Sequence, residues 1–358
     1  MNKLFTKRFG SLISGLLVFS AFSFGQFDNA DFLRSGSADG VKFIEAYIAP
    51  WTNAFGAGLN GSWYNTAKPH KLGGFDITTA INLGFVPSSA ETFELSSLEL
   101  SSNISPSTGT VSTIAGPEGG SVPMTYSAEG IPLASFNTPP GTNWKTIPVP
   151  TAQVGIGLPF GTEIKVRFIP KINIQGGDIS LWGVGLMHNI TQYIPGIKLM
   201  PFDVSLFAGY TKLKGNVPLE LEPQAGYPNI ISSSILFDNQ KLSAGVEALN
   251  ISAIASLNLP VLTVYGGLGY SSTKTGIELT GNFPTPVLVT PGVSEPYAEY
   301  NDSGVMTGDD FPLIEIKNFS GVRANIGLRI KLAVVTIHAD YTRAQYSVVS
   351  AGLGISFR

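Results

Sequence analysis

The chain has 358 residues, 43% of them hydrophobic and only 13% charged, with a formal net charge of -3 and no cysteine. A soluble surface carries roughly a quarter charged residues, so this composition argues against an ordinary water-exposed domain. There is no basic excess for a nucleic-acid partner, and without cysteine neither a disulfide framework nor a lipid-modified amino terminus can form.

Residues 1–25 read as a cleaved signal peptide. Lys3, Lys7 and Arg8 form its basic region, Leu12 to Phe22 its short apolar core, and Ser23 and Gly25 the small residues before a cut at Gln26. No later apolar run reaches the ~18 residues of a spanning helix. A chain of this kind crosses a membrane only as a closed sheet.

Residues 28–65 do not follow a strand pattern. Ser37 is placed to cap a short helix with Val41, Ile44 and Ile48 on one face, and Pro50 is expected to stop it. A glycine- and aromatic-rich stretch, residues 55–64, follows. Residues 26–72 therefore read as a plug or hatch, with Trp51, Phe55, Asn60, Trp63 and Tyr64 as its contact residues. An extra first strand is the alternative.

From residue 73 onward the period is two. In 319–332, Val322, Ala324, Ile326, Leu328, Ile330 and Leu332 share one parity, opposite Arg323, Asn325, Arg329 and Lys331. Segments 75–85, 162–173, 262–270 and 334–343 alternate in the same way. Such segments exceed the usual strand of globular proteins and suit a tilted bilayer crossing. The apolar parity then faces lipid and the polar parity the lumen. Expected lumen-lining residues are Lys165, Arg167, Lys171, Arg323, Asn325, Arg329, His338 and Asp340, with Glu163 and Glu247 on the same polar faces. The final strand, Val349 to Phe357 by alternate residues, ends on a penultimate aromatic, like the signal read by the barrel-assembly machinery. Long serine-, threonine-, glycine- and proline-rich loops at about 88–149, 215–239 and 276–318 alternate with short links, the pattern of extracellular loops and periplasmic turns. The fold class is all-β: a transmembrane outer-membrane β-barrel of about 10–14 antiparallel strands, with a short N-terminal helical plug. Residues 92–100 are the place where an additional hairpin could enter the wall.

Chemistry is sparse. His70, His188 and His338 lie far apart in sequence and there is no thiol, so no metal site or cofactor is expected. Asp302, Asp309 and Asp310, with Gly304 and Gly308, form an acidic loop whose spacing is not that of an EF-hand. His338 and Asp340 occupy successive polar positions, as a barrel-wall hydrolase would need, but no serine stands out as nucleophile, and no enzyme is expected. The basic wall residues could attract anions or pair internally. Arg323 and Arg329 are expected to stack on plug aromatics.

The segments Glu45-Ala-Tyr-Ile-Ala-Pro50, Gly61-Ser-Trp-Tyr-Asn-Thr-Ala67, Val154-Gly-Ile-Gly-Leu-Pro-Phe-Gly-Thr-Glu163, Val166-Arg-Phe-Ile-Pro170, Trp182-Gly-Val-Gly-Leu-Met-His188 and Gly352-Leu-Gly-Ile-Ser-Phe-Arg358 carry a resemblance over most of the chain. It resembles an uncharacterised group of bacterial outer-membrane barrels, similar in general form to FadL/TodX-like hydrophobe transporters. Those transporters have a hatch with an Asn-Pro-Ala element; here Asn65-Thr66-Ala67 lacks the proline, and no ligand residue carries over. The resemblance implies passive uptake of a small hydrophobic molecule through a plugged barrel. The alternative is a structural or surface-interaction barrel with a closed lumen and partner-binding loops. Expected partners are outer-membrane lipid, the assembly machinery and a small hydrophobic ligand.

Overall fold

A computed structural model describes residues 37–358 except 120, 129, 175–176, 195–200, 220, 224–225, 227, 238, 291–296, 311–312, 317–318 and 358. The expected signal peptide and the start of the expected plug lie outside the described residues.

Ten long strands build the wall: β1 (Phe75–Phe85), β2 (Thr146–Leu158), β3 (Thr162–Ile174), β4 (Gly177–Asn189), β5 (Phe202–Pro218), β6 (Lys241–Asn258), β7 (Leu262–Thr280), β8 (Ser320–Leu332), β9 (Val335–Arg343) and β10 (Val348–Phe357). Each pairs antiparallel with the next. β1 pairs with β10 from Phe75↔Phe357 to Gly84↔Val348, which closes the barrel. Closure leaves no edge, so the wall satisfies its own backbone groups.

Side chains alternate as period two requires. Along β10, Val349, Leu353, Ile355 and Phe357 face out while Ser350 and Ser356 are buried inside. On β8, Leu328 and Ile326 are 52% and 64% exposed, whereas Arg323 and Arg329 are buried. A surface so apolar belongs against lipid. Aromatic residues rim it at both edges: Phe75 stacked on Phe357 with centroids 5.0 Å apart at one end, and Trp182 against Tyr210 at 5.6 Å at the other.

Three links on one side are a few residues long, after β2, β6 and β8, and three on the other are long: 86–145, 219–240 and 281–319. The strands run further than the expected loop limits. β5, β6 and β7 have 17, 18 and 19 residues, well beyond the ~9–11 that cross a bilayer, so they project past the membrane on the long-loop side. Residues 92–100 do not enter the wall. Thr92–Glu94 pairs with Thr110–Ser112 in a small separate sheet, and the expected range of strand numbers narrows to its lower end.

The helix α1 spans Ser37–Leu59 with Pro50 inside it, so Pro50 does not stop it. Proline withholds one hydrogen bond from the Ala46 carbonyl, but α1 is enclosed by loops and wall, and that packing outweighs the local defect. The expectation of an extra first strand over 55–64 is likewise replaced by the last turns of α1 and the bend after it. No described helix is long and apolar enough to cross a membrane.

Candidate functional site

The interior of the barrel is filled by α1 and residues 60–72. The N-terminal half of α1 lies in an apolar dome made by the long loops. Phe43, Ile44, Tyr47 and Ile48 pack with Leu95, Val111, Met124 and Phe136 of the first loop and with Phe283 and Ile314 of the last. The Tyr47 hydroxyl donates to the Pro140 carbonyl at 2.9 Å, and burial pushes its pKa up to about 12, so it stays a donor. A gap of about 10 Å³ remains among Phe43, Tyr47, Phe93, Val111, Thr138 and Pro139. Lower down, Ala54, Ala57 and Leu59 pack on Val149, Leu181, Leu213 and Val246 of the wall. Trp51 and Phe55, the other expected contact residues of the plug, are half-buried against this cluster.

The C-terminus of α1 ends in mid-lumen. Its last carbonyls have no partner within the helix and carry the negative end of the helix dipole. Wall arginines meet them from two sides. Arg167, fully buried, donates to the carbonyls of Leu59 at 2.6 Å and Gly61 at 2.7 Å, and to Gln153 Oε1 at 3.1 Å. Its guanidinium lies 3.6 Å over the centre of the Trp63 ring. Arg323 donates to the Asn60 carbonyl at 2.7 Å and to Thr342 at 3.2 Å. The aromatic stacking expected of Arg323 and Arg329 thus falls to Arg167, because the end of the helix brings Trp63 to β3.

Beyond the bend the segment runs down to the start of β1. The Tyr64 hydroxyl donates to Asn325 Oδ1 at 2.8 Å, and Trp63 and Tyr64 pack on Phe207, 5.6 and 5.4 Å away. The wall makes room with glycine. A Cβ on Gly185 would come within 2.9 Å of Trp63, and one on Gly209 within 2.7 Å of Phe207. Ser256 Oγ accepts from the Ala67 amide at 2.9 Å.

At the short-link end a buried ionic group ties the segment to three strands. The His70 amide and ring both meet Glu163 Oε2 at 2.8 Å, and the other ring nitrogen meets Ser356 at 2.9 Å. Lys165 Nζ lies 2.5 Å from Glu163 and 3.6 Å from Asp76. Gly155 stands opposite both Asp76 and Lys165 in the register, and its missing side chain lets the two meet across β2. The donor atoms of His70, Asp76 and Glu163 lie within 4.8 Å of one another, a juxtaposition that sequence distance between histidines could not reveal. The Lys165 ammonium already lies against both carboxylates, so a metal ion would have to displace it.

The remaining expected residues divide. Arg329, His338 and Asp340 are buried inside. Asp340 accepts from Tyr265 at 3.0 Å rather than from His338, and neither ring nitrogen of His338 meets a protein hydrogen-bond partner. Lys171 is not in the lumen. An irregularity between Ile169 and Ile172 inserts a residue into β3 and reverses the parity, and Lys171 pairs instead with Asp178 at 3.0 Å on an exposed face. Glu247 also faces out, paired with Lys212 at 2.6 Å. In the acidic loop, Asp302 accepts from the Ser232 amide and Asp310 from Thr307, both at 2.6 Å. Sequence reasoning missed His70, Asp76, Gln153 and Ser256 as plug contacts. The recurring glycine on the lumen parity of β2 and β4 was the available signal.

A closed antiparallel barrel, apolar outside and ringed by aromatics, with its lumen filled by its own N-terminal segment, is a plugged transmembrane β-barrel of the outer-membrane type. The chain belongs to the family of unknown function DUF6588, matched over residues 1–357. No curated protein matches it. Among solved structures it is similar to the translocator domain of the autotransporter NalP from Neisseria meningitidis, with 12% identity over 85% of this chain and 93% of that one, TM-score 0.30. It is also similar to the outer membrane protease OmpT from Escherichia coli, with 7% identity, 79% and 97% coverage and TM-score 0.29. A Pseudomonas aeruginosa FadL homologue shows 10% identity, 79% and 88% coverage and TM-score 0.20. Likeness at this level concerns the barrel alone.

Proposed function

We propose that the protein is a gated conduit for a small, mainly apolar molecule, with residues 37–72 as the gate. The observation that carries this reading is how the lumen is filled. The wall opens its inner face with glycine, and a separate segment of the same chain, rather than wall side chains, occupies the space. The apolar dome around Phe43 and Tyr47 is the environment an entering molecule meets first, which favours an apolar one. A closed surface-interaction barrel is the second reading, favoured by the arginine contacts to the carbonyls of Leu59, Asn60 and Gly61.

The chain has no cysteine, so a cross-link can be introduced cleanly. Ser62 Oγ donates to Asn82 Oδ1 at 2.6 Å, and a Ser62→Cys/Asn82→Cys pair would fasten the gate to β1. Uptake of toluene into liposomes is expected for the reduced protein and lost on oxidation. Equal uptake in both states removes the gate. No uptake by the reduced and the unaltered protein leaves the closed barrel.

A further inference from the structure

The N-terminal segment has a direction as well as a place. The first turns of α1 are tied to the first long loop: Asp39 accepts from the Ser101 amide at 3.1 Å, and Lys42 Nζ donates to the Glu99 carbonyl at 2.5 Å. Ala38 is exposed, and the Lys42 side chain is 40% exposed. The 23 residues of α1 rise about 34 Å at 1.5 Å each, which carries the chain from the loop dome to mid-lumen. Residues 60–72 cover the remaining descent. At its end His70 meets Glu163 and Ser356 beside the short links, and Leu72 is exposed. A turn closed by the Gly74 amide on the Lys71 carbonyl, with Gly73 at φ +73°, then reverses the chain into β1.

The chain thus enters the barrel from the long-loop side, descends through the whole lumen and begins the wall only at the short-link end. In bacterial barrels the long loops are extracellular and the short turns periplasmic, so the amino-terminal end of α1 faces the outside of the cell. An exported chain reaches the outer membrane from the periplasm, and this end has to cross the layer that the wall itself spans. The lumen is the available route. Hydrocarbon around the wall excludes a helix start with open backbone groups, and it excludes the charges of Asp39 and Lys42.

We propose that the barrel passes its own amino-terminal end outward through the lumen, so that the finished protein presents the first turn of α1 at the cell surface. The wall has a place to yield while this happens. β2 and β3 pair over only six residue pairs, Gln153↔Arg167 to Leu158↔Thr162, against seventeen between β5 and β6. Among the described residues, 146–152 of β2 continue upward paired to β1 alone. Pro148 and Pro150 on this edge and Pro170 on the facing one have no N–H to offer a ladder. α1 is seated directly behind the seam. Ala54 and Ala57 pack with Ile147 and Val149, Ile169 of β3 lies against the same cluster, and a Cβ on Gly58 would come within 2.5 Å of Val149. The element that has to be drawn through the barrel lies against the shortest ladder of its wall. The inference holds for a conduit and for a closed barrel alike.

Because the chain has no cysteine, single cysteines report position. Ala38→Cys and Lys42→Cys mark the amino-terminal end of α1, Ser107→Cys the first long loop and Leu72→Cys the short-link end; Ala38, Ser107 and Leu72 are exposed. Intact cells making each full-length variant are treated with a maleimide on a polyethylene glycol chain too long to cross the outer membrane. Labelling is read as a gel shift of molecules with the heat-dependent mobility of a folded barrel, so a variant that fails to fold is not counted. Ala38→Cys and Lys42→Cys are expected to react on intact cells as Ser107→Cys does, and Leu72→Cys only after the outer membrane is opened. If Ala38→Cys and Lys42→Cys stay unlabelled on cells where Ser107→Cys reacts, the proposal is overturned. Labelling of Leu72→Cys on intact cells where Ser107→Cys is protected overturns it too, since the long-loop side would then be periplasmic.

Discussion

Arg167 is the residue on which the filling of the lumen most depends. It is fully buried in mid-wall, makes hydrogen bonds of 2.6, 2.7 and 3.1 Å, and covers the Trp63 ring at 3.6 Å. Arg167→Met keeps most of the bulk and removes every donor. The carbonyls of Leu59 and Gly61 then lose their wall donor, at about 1–3 kcal/mol each, and the ring contact adds about 2 kcal/mol. The desolvation cost of the guanidinium is recovered, so the net loss should be about 3–5 kcal/mol. Urea unfolding of the refolded protein in vesicles, followed by gel mobility, measures it through a lower midpoint at unchanged slope. A cycle with Trp63→Leu should give a coupling of about 0.5–2 kcal/mol. A loss below about 1 kcal/mol, or no coupling, would refute the idea that this arginine holds the segment in place.

Leu328→Arg puts a charge on the lipid face and should cost about 2–4 kcal/mol, whereas Asn325→Arg, facing inward beside Tyr64, should fold far better; equal yields of folded protein would mean the faces are misassigned. Lys165→Met leaves Asp76 and Glu163 buried without their cation and should destabilise by about 3–5 kcal/mol, read by the same urea titration. A second change, Glu163→Gln, should restore part of that loss, and no restoration would count against the ionic group. Gly185→Ala drives a methyl toward Trp63 and Phe207 and should cost about 1–3 kcal/mol. Trp63→Leu in the same chain should remove most of that cost, and a cost that persists points to the backbone instead.

The strands were legible because a wall that meets lipid on one face and a lumen on the other must alternate at every residue. The alternation of β8, β9 and β10 therefore appears in the order of residues alone, and so do the short and long links. Local chemistry decided wrongly where packing overrode it. Pro50 marks a helix stop in isolation, yet α1 continues through it inside its enclosure. One inserted residue in β3 turned Lys171 outward, and no composition signal announces such an insertion. The lumen itself was only half readable. Period two says which residues point inward, but not what they meet there. His70 and Glu163 are 93 residues apart and Arg323 and Asn60 are 263 apart, and only closure of β1 on β10 and descent of the N-terminal segment bring such pairs together. The sequence by itself determined a membrane barrel, because the solvent on each face acts on every residue separately. The tertiary structure alone decided by which contacts the plug segment is held in the lumen, because these depend on how distant segments are threaded through one another.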